Sequence, residues 1–255
     1  MTTLKGHKII VTGAAQGLGL RSAQLFVERG AQVFLADVNA DALSAAAAEL
    51  GAGHVPVDVT DADGVEQMFD RAVAHLGGLT GVLNSAGLAL VQSALELDIE
   101  GWQRVMDVNV RGTQLVCCSA AKRMIPLGGG AIVNMASAAG GGGIPRRSAY
   151  GTSKAAVAYQ TRCLAAEWGH LGVRVNAVAP GYIDSGMTRD LEARGRIDLN
   201  RIRARIPLAK LGDAADIARA AAFLLSDDAG YITGEQLFVD GGWNAYGGAG
   251  AVNSC

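Results

Sequence analysis

Short apolar runs recur along this chain, and longer amphipathic stretches fill the intervals. The runs are Lys8–Thr12, Gln32–Asp37, His54–Val59, Leu79–Asn84, Ala131–Ser137, Val173–Ala179 and Gln236–Val239. Val, Ile and Leu dominate them with little polar alternation, the pattern of strands covered on both faces. The intervals predict helices. One leaves the first strand and ends near Arg29, where Gly30 stops it, and Ala40–Leu50 is Ala-rich. In the next, Val65, Met68, Phe69, Ala72, Val73 and Leu76 form one stripe. Further helices are predicted at about Gly101–Met124, from Tyr150 to about His170, and over Asp213–Leu225. Strands alternating with helices predict an α/β fold with a parallel sheet and right-handed crossovers.

No repeat or linker composition splits the chain, so one domain over 1–255 is expected. The stretch 182–210 is Arg-rich and weakly periodic, and predicts a small helical flap over the pocket. The Gly-rich tail, 241–255, is expected to be loosely ordered or to lie over a partner subunit. Asn109 breaks the pattern: it falls on the buried stripe of the Gly101–Met124 helix, between Trp102 and Val116. A buried amide is costly unless its hydrogen bonds are met. Two readings stand: a satisfied core residue capping a local kink, or a polar group held inward for water or substrate.

The first strand runs into Gly13-Ala14-Ala15-Gln16-Gly17-Leu18-Gly19 and then a helix. A strand, a glycine-rich turn and a helix N-terminus make an anion site, where backbone N–H groups and the helix dipole meet a phosphate. The second strand ends on Asp37, about where a dinucleotide site holds the adenosine ribose hydroxyls. That carboxylate would repel a 2′-phosphate, and Val38-Asn39 offers no cation, so NAD is expected over NADP. The competing reading makes Asp37 the N-cap of the next helix. Asp58 either meets the adenine ring or is a turn acid.

Tyr150 and Lys154 fall one turn apart if their stretch is helical. A phenol is a poor base near neutrality, and a cation beside it favours the phenolate. Ser137 ends the fifth strand, at the carboxyl edge where ligands gather in open parallel sheets. The run Gly140–Gly143 and Arg146-Arg147 lie between it and Tyr150; either arginine is a candidate anchor for an anionic or polyhydroxylated substrate, against the plainer reading of a solvated loop charge.

Composition narrows the classes. The net charge is −2 with no long charge run, which argues against nucleic acid or an anionic membrane as main partner. Cys117, Cys118, Cys163 and Cys255 form no C-x-x-C pair, so reduced thiols, no metal framework and a cytoplasmic setting are expected. No signal-peptide core or membrane-length apolar run is found.

Together these residues resemble the short-chain dehydrogenase/reductase family, from about Lys5 to Gly242. The resemblance rests on Thr12-Gly13-x-x-x-Gly17-x-Gly19, Asn84-x-Ala86-Gly87, Asn109, Ser137, Tyr150-x-x-x-Lys154 and Pro180-Gly181. Ser85 departs from it, standing where the family commonly has Asn; little consequence is expected. The resemblance implies a doubly wound Rossmann domain of seven parallel strands, helices on both faces, and a homotetramer. It implies that Tyr150 is the general acid/base, that Lys154 binds the nicotinamide ribose and lowers the phenol pKa, that Ser137 bonds the reacting oxygen, and that Asn109 holds a water toward Lys154. For the cofactor it implies Gly13, Gln16, Gly17, Leu18 and Gly19 at the pyrophosphate, Asp37 at the ribose, Asp58 and Val59 at the adenine, and Asn84, Ala86 and Gly87 along the middle. Pro180, Gly181, Ile183 and Ser185 are implied at the nicotinamide. The expected activity is an NAD-dependent dehydrogenase of a secondary alcohol, of polyol, sugar or hydroxy-ketone type. The alternatives are a 3-oxoacyl thioester reductase, a non-catalytic Rossmann binding protein, and an epimerase or dehydratase, for whose usual longer C-terminal domain the chain lacks room.

Overall fold

A computed structural model describes residues 2–248 and 250–252, and for Met187 the backbone alone. Cys255 and the end of the predicted tail lie outside the described residues. The strands are β1 (Lys8–Thr12), β2 (Gln32–Asp37), β3 (Gly53–Pro56), β4 (Gly81–Asn84), β5 (Gly130–Met135), β6 (Val173–Pro180) and β7 (Gln236–Val239). All pair in parallel, in the order β3-β2-β1-β4-β5-β6-β7. The order reverses between β1 and β4, where an open α/β sheet leaves a crevice at its carboxyl edge.

The helices are α1 (Gly17–Glu28), α2 (Ala40–Leu50), α3 (Ala62–Leu76), α4 (Ile99–Met106), α5 (Gly112–Met124), α6 (Ser148–Trp168), α7 (Gly186–Ala193), α8 (Leu199–Arg205) and α9 (Ala214–Leu225). Alternate strand residues face opposite sides of the sheet. Ile9, Val11, Val33 and Leu35 therefore join Phe26 of α1 and Ile217 and Ala221 of α9 on one side. Ile10, Phe34 and Val82 join Met68 and Phe69 of α3 and Val116 of α5 on the other. Truncating Phe26 or Phe69 to Ala would cost about 3–5 kcal/mol. This is the doubly wound arrangement that the family resemblance implies, built on the parallel sheet that the alternating pattern predicts.

Some boundaries differ from the expectation. β3 stops at Pro56, not Val59, because Asp58 turns the chain: its Oδ1 accepts from the Thr60 N–H (2.9 Å) and hydroxyl (2.8 Å). β4 begins at Gly81, not Leu79, and β5 ends at Met135, two residues before Ser137. The helix expected over Gly101–Met124 begins at Ile99, where the Asp98 side chain caps it, and is interrupted by a π turn at Asp107–Arg111. The flap expected over 182–210 contains α7 and α8, with Leu199, Ile202 and Ile206 buried against Tyr182 and Trp243.

The described part of the tail is tied down. Arg205 stacks on Trp243, its Cζ 4.0 Å from the ring centroid, and donates to the Trp243 and Tyr246 carbonyls. Asn244 Nδ2 donates to the Ala138 carbonyl (3.3 Å), beside Ser137. Among the described residues no helix is long and apolar enough to cross a membrane, and no acidic, His or Cys cluster suits a metal.

Candidate active site

The first corner lies between β1 and α1. Gly13 (φ +63°) and Gly17 (φ +60°) hold left-handed conformations that disfavour any side chain. A Cβ on Gly13 would meet the Ala86 backbone at 2.8 Å, whereas one on Gly17 would project into open space. Gly13 thus packs the turn against the chain after β4, and Gly17 keeps a cradle open. The N-cap of α1, Gln16, makes no side-chain capping bond, and no acid occupies the first turn. By contrast, α2, α3, α4, α7, α8 and α9 carry Asn39, Asp61, Asp98, Ser185, Asp198 and Asp213 as caps. An uncapped helix start beside an open glycine turn fits the phosphates of a dinucleotide.

Asp37 stands across this cradle. Its Oδ2 accepts from the Ala15 N–H (3.1 Å) and its Oδ1 from the Asn39 N–H (3.0 Å). The cap of α2 is Asn39, which accepts from Ala42 N–H, so the alternative reading of Asp37 as that cap is removed. Val38, next to it, is 70% exposed and carries no charge. Asp58 is held by Thr60 and by Arg104 Nη2 (3.3 Å), and these bonds, the Thr60 N–H foremost, outweigh burial and lower its pKa. Val59 is buried against Gly112.

The middle of the crevice is built on Thr12. Its hydroxyl donates to Asn84 Oδ1 (3.0 Å) and accepts from the N–H groups of Ser85 (3.1 Å) and Ala86 (3.2 Å). Asn84 is itself buried, its Nδ2 donating to the Thr113 carbonyl and to Asn134. Ser85 joins through its backbone, consistent with the small consequence expected of its side chain. A Cβ on Gly87 would lie 3.2 Å from Asn109 Oδ1 and 3.4 Å from Lys154 Nζ, so this stretch lies directly on the catalytic candidates.

The second corner lies between β5 and α6. Gly140 lets the turn after Ser137 rest on α6, since a Cβ there would reach the Ala155 N at 2.8 Å. Ser137 Oγ accepts from Ala139 N–H (3.1 Å) and lies close enough to the Tyr150 phenol to oppose the rise in its pKa. Lys154 is buried and donates to the Met135 carbonyl (2.7 Å). Burial pushes its ammonium down to about 8. Its Nζ lies 5.8 Å from the Tyr150 ring centroid.

The phenol departs from expectation. Burial pushes the Tyr150 pKa up, and what opposes this is the Ser137 hydrogen bond and the charge of Arg147, not Lys154. Lys154, held to the Met135 carbonyl, is not among the groups that act on the phenol. Arg147 Cζ sits 5.9 Å from the same ring centroid.

Asn109 lies in the π turn and is fully buried. Its Oδ1 accepts from Leu88 N–H (2.7 Å), and its Nδ2 donates to the Leu88 carbonyl (2.9 Å) and Ser153 Oγ (2.9 Å). It is thus a satisfied core amide at a local irregularity, and it ties the loop after β4 to α6. Pro180 ends β6, and Gly181 packs on Asp240. Ile183 is buried and bridges Gly212, and Ser185 caps α7. These residues flank the carboxyl end of β6, although the side chains of Ile183 and Ser185 are spent on packing and capping.

A family model described as Enoyl-(Acyl carrier protein) reductase matches residues 13–244. The cis-4-hydroxycyclohexanecarboxylate dehydrogenase of Sinomonas cyclohexanicum is 42% identical over 241 residues, covering 92% of this chain and 96% of that protein. The chain belongs to the short-chain dehydrogenase/reductase family. The galactitol 2-dehydrogenase (L-tagatose-forming) of Cereibacter sphaeroides is 41% identical, covering 95% of this chain and 97% of that one. A solved short-chain type dehydrogenase/reductase from Mycobacterium ulcerans superposes with a TM-score of 0.91 at 32% identity, over 95% of this chain and 91% of that one. This short-chain dehydrogenase/reductase is an oxidoreductase of the alcohol dehydrogenase type, and its relatives use nicotinamide cofactors. One site feature escapes a residue-by-residue reading of the family pattern: the Met135 carbonyl that holds Lys154, which no side chain announces. Thr12 opens the glycine motif, but its bonds to Asn84, Ser85 and Ala86 are visible only in the fold.

Proposed function

We propose that this enzyme oxidises a secondary alcohol, or reduces the matching ketone, with NAD as the preferred nicotinamide cofactor. The observation that carries the reading is the meeting of Ser137, Tyr150 and Lys154 at the carboxyl edge of the sheet, in line with an open glycine cradle. The residues fit a dinucleotide: Gly13, Gln16, Gly17, Leu18 and Gly19 would hold the pyrophosphate, Asp37 the adenosine ribose, and Lys154 the nicotinamide ribose. The substrate names of the relatives, a cyclic hydroxy acid and a polyol, support a secondary carbinol.

The nicotinamide, when bound, accepts or returns the hydride. The protein moves the proton. Phenolate Tyr150 takes it from the hydroxyl during oxidation, or the phenol gives it to the carbonyl oxygen during reduction. Ser137 accepts from Ala139 N–H, and its O–H, which faces the Tyr150 phenol in the unliganded protein, would turn to the reacting oxygen as charge develops. Asn109 keeps the loop around Leu88 in place and, through its remaining Oδ1 lone pair, is assigned the water toward Lys154. Asp37 sets the NAD preference, by bonding ribose hydroxyls and repelling a 2′-phosphate, with Val38 supplying no cation. A homotetramer, implied by the family resemblance, and a cytoplasmic setting, expected from the cysteine pattern, complete the reading.

A panel of secondary alcohols and ketones assayed by nicotinamide absorbance tests this. Turnover with kcat/KM for NAD well above that for NADP is expected. Equal use of both cofactors would remove the role given to Asp37, and no turnover of any carbinol would remove the reading itself.

A further inference from the structure

Arg147 is not explained by the reaction. It lies between Ser137 and Tyr150 in the chain, and the local backbone is arranged around it. Arg146, just before, has φ +65°, a left-handed conformation that costs a non-glycine residue on the order of 1–2 kcal/mol. Its carbonyl accepts from Gln92 N–H (2.9 Å), which pins the loop in that shape. The chain then delivers Arg147, half-buried, to the Tyr150 ring, with Cζ 5.9 Å from its centroid. The same charge acts on the Tyr182 phenol at the base of the flap. The guanidinium therefore acts on both the catalytic phenol and the phenol at the start of the flap.

Three other sheltered guanidinium groups have partners, whereas Arg29, at the C-terminal end of α1 and away from the site, has a buried Nε without one. Arg123 binds Glu66 and Asp70, Arg174 binds the carbonyls of Leu224, Ile232 and Ser226, and Arg205 binds those of Trp243 and Tyr246. Among the described residues, the Arg147 side chain makes no hydrogen bond or ion pair. A partly desolvated cation without a counter-ion is costly unless a ligand supplies one. Lys154, buried and held to the Met135 carbonyl, is the group assigned to the nicotinamide ribose, which leaves Arg147 for a substrate anion. A guanidinium fork matches a carboxylate by two parallel hydrogen bonds, and one cation balances one negative charge.

We propose that Arg147 selects the substrate by binding its carboxylate: the enzyme acts on a hydroxy acid or oxo acid whose carbinol or carbonyl carbon lies at Tyr150 and Ser137. This rests on the reading of the site as a secondary-alcohol oxidoreductase. Arg146 is exposed and its side chain makes no hydrogen bond or ion pair among the described residues, so of the two adjacent arginines only the half-buried Arg147, on the Tyr150 ring, carries this role.

The test compares acids with their primary amides, using β-hydroxybutyrate and the hydroxycyclohexanecarboxylates, in the wild type, Arg147→Gln, Arg147→Lys and Arg146→Gln. The wild type is expected to prefer acid over amide by about tenfold or more in kcat/KM, the range of a hydrogen bond to a charged group. The preference should reside mainly in KM, vanish in Arg147→Gln, return in part in Arg147→Lys and persist in Arg146→Gln. An unchanged acid-to-amide ratio in Arg147→Gln would overturn the proposal. So would a variant whose only change is the pH profile, because Arg147 would then act on the phenol alone. Calorimetric binding of cyclohexanecarboxylate, which has no hydroxyl to oxidise, separates the two readings. Binding by the wild type that is lost in Arg147→Gln, with no carbinol turned over, would keep the anion site and sink the oxidoreductase. Absence of carboxylate binding alongside normal turnover of neutral alcohols would do the reverse.

Discussion

The corner after β1 and the corner after β5 sit at the same edge of one sheet, yet they are built from opposite materials. The first uses backbone. Gly13 and Gly17 take conformations that favour glycine, α1 starts without a cap, and Asp37 is the only charged side chain assigned there. The second uses side chains held by one another and by carbonyls: Ser137 to Tyr150, Lys154 to Met135, Asn109 to Leu88 and Ser153. A backbone cradle recognises a phosphate that every dinucleotide shares, and has no chemistry of its own. A side-chain cluster has acid, base and hydrogen-bond donors, and each can be removed singly. Substitutions in the two corners should therefore separate binding from reaction.

The largest separation is expected from Tyr150→Phe. It removes the proton donor and acceptor but keeps the ring, so turnover should fall by about 10²–10⁴-fold, the range for a positioned acid or base. NADH binding, followed by fluorescence, should stay near wild type. A matching loss of both would mean that the corners are not distinct. Gly17→Ala reverses the pattern. The new Cβ enters the open cradle and the left-handed backbone adds on the order of 1–2 kcal/mol of strain, so cofactor affinity should drop by roughly tenfold or more. The chemical step at saturating cofactor should change far less. Asp37→Ala should shrink the NAD-over-NADP ratio by around tenfold, the scale of a lost hydrogen bond to a charged group. An unaltered ratio would place cofactor selection elsewhere.

A separate effect is a pH dependence of stability. Burial lowers the Lys154 pKa from 10.5 to about 8, so between those values the unfolded chain holds a proton that the folded one lacks. This group's contribution therefore rises with pH across that window and is least favourable below about 8, where the folded state carries the buried charge. Lys154→Met removes the dependence. Its stability relative to wild type should fall as pH rises through the window, by up to about 1.4 kcal/mol per unit. Denaturant unfolding at several pH values reads this, and a constant gap would show that the ammonium is not desolvated.

Much of the fold was legible because strands end on residues with their own reasons to stop. Gln32–Asp37, Ala40–Leu50 and Gln236–Val239 were read to the residue. The third strand was overrun because Val57 and Val59 continue the apolar pattern, while the chain is turned by a local bond from Asp58 to Thr60. Asn109 could be flagged as out of place, but the π turn that holds it leaves no periodic signature in so few residues. The convergence of Ser137, Tyr150 and Lys154 followed from motif order. The electrostatics did not: that Lys154 bonds Met135 and that Arg147 is the cation acting on the phenol depend on side-chain directions and on a carbonyl. The tail looked loose by its glycines, yet Arg205 and Asn244 fix its first turn through backbone carbonyls, which composition does not report.

Because burial raises the Tyr150 pKa in the unliganded protein, the oxidative reaction should quicken with pH as phenolate forms, and ketone reduction should slow. The most direct test is single-turnover hydride transfer from a secondary alcohol substrate to saturating NAD, measured across pH for wild type and Tyr150→Phe. The expected result is a wild-type rate that climbs with pH to a plateau and a variant rate that is low and flat, with equal NADH binding in both. A wild-type rate independent of pH and matched by Tyr150→Phe would contradict the assignment of proton transfer to this phenol.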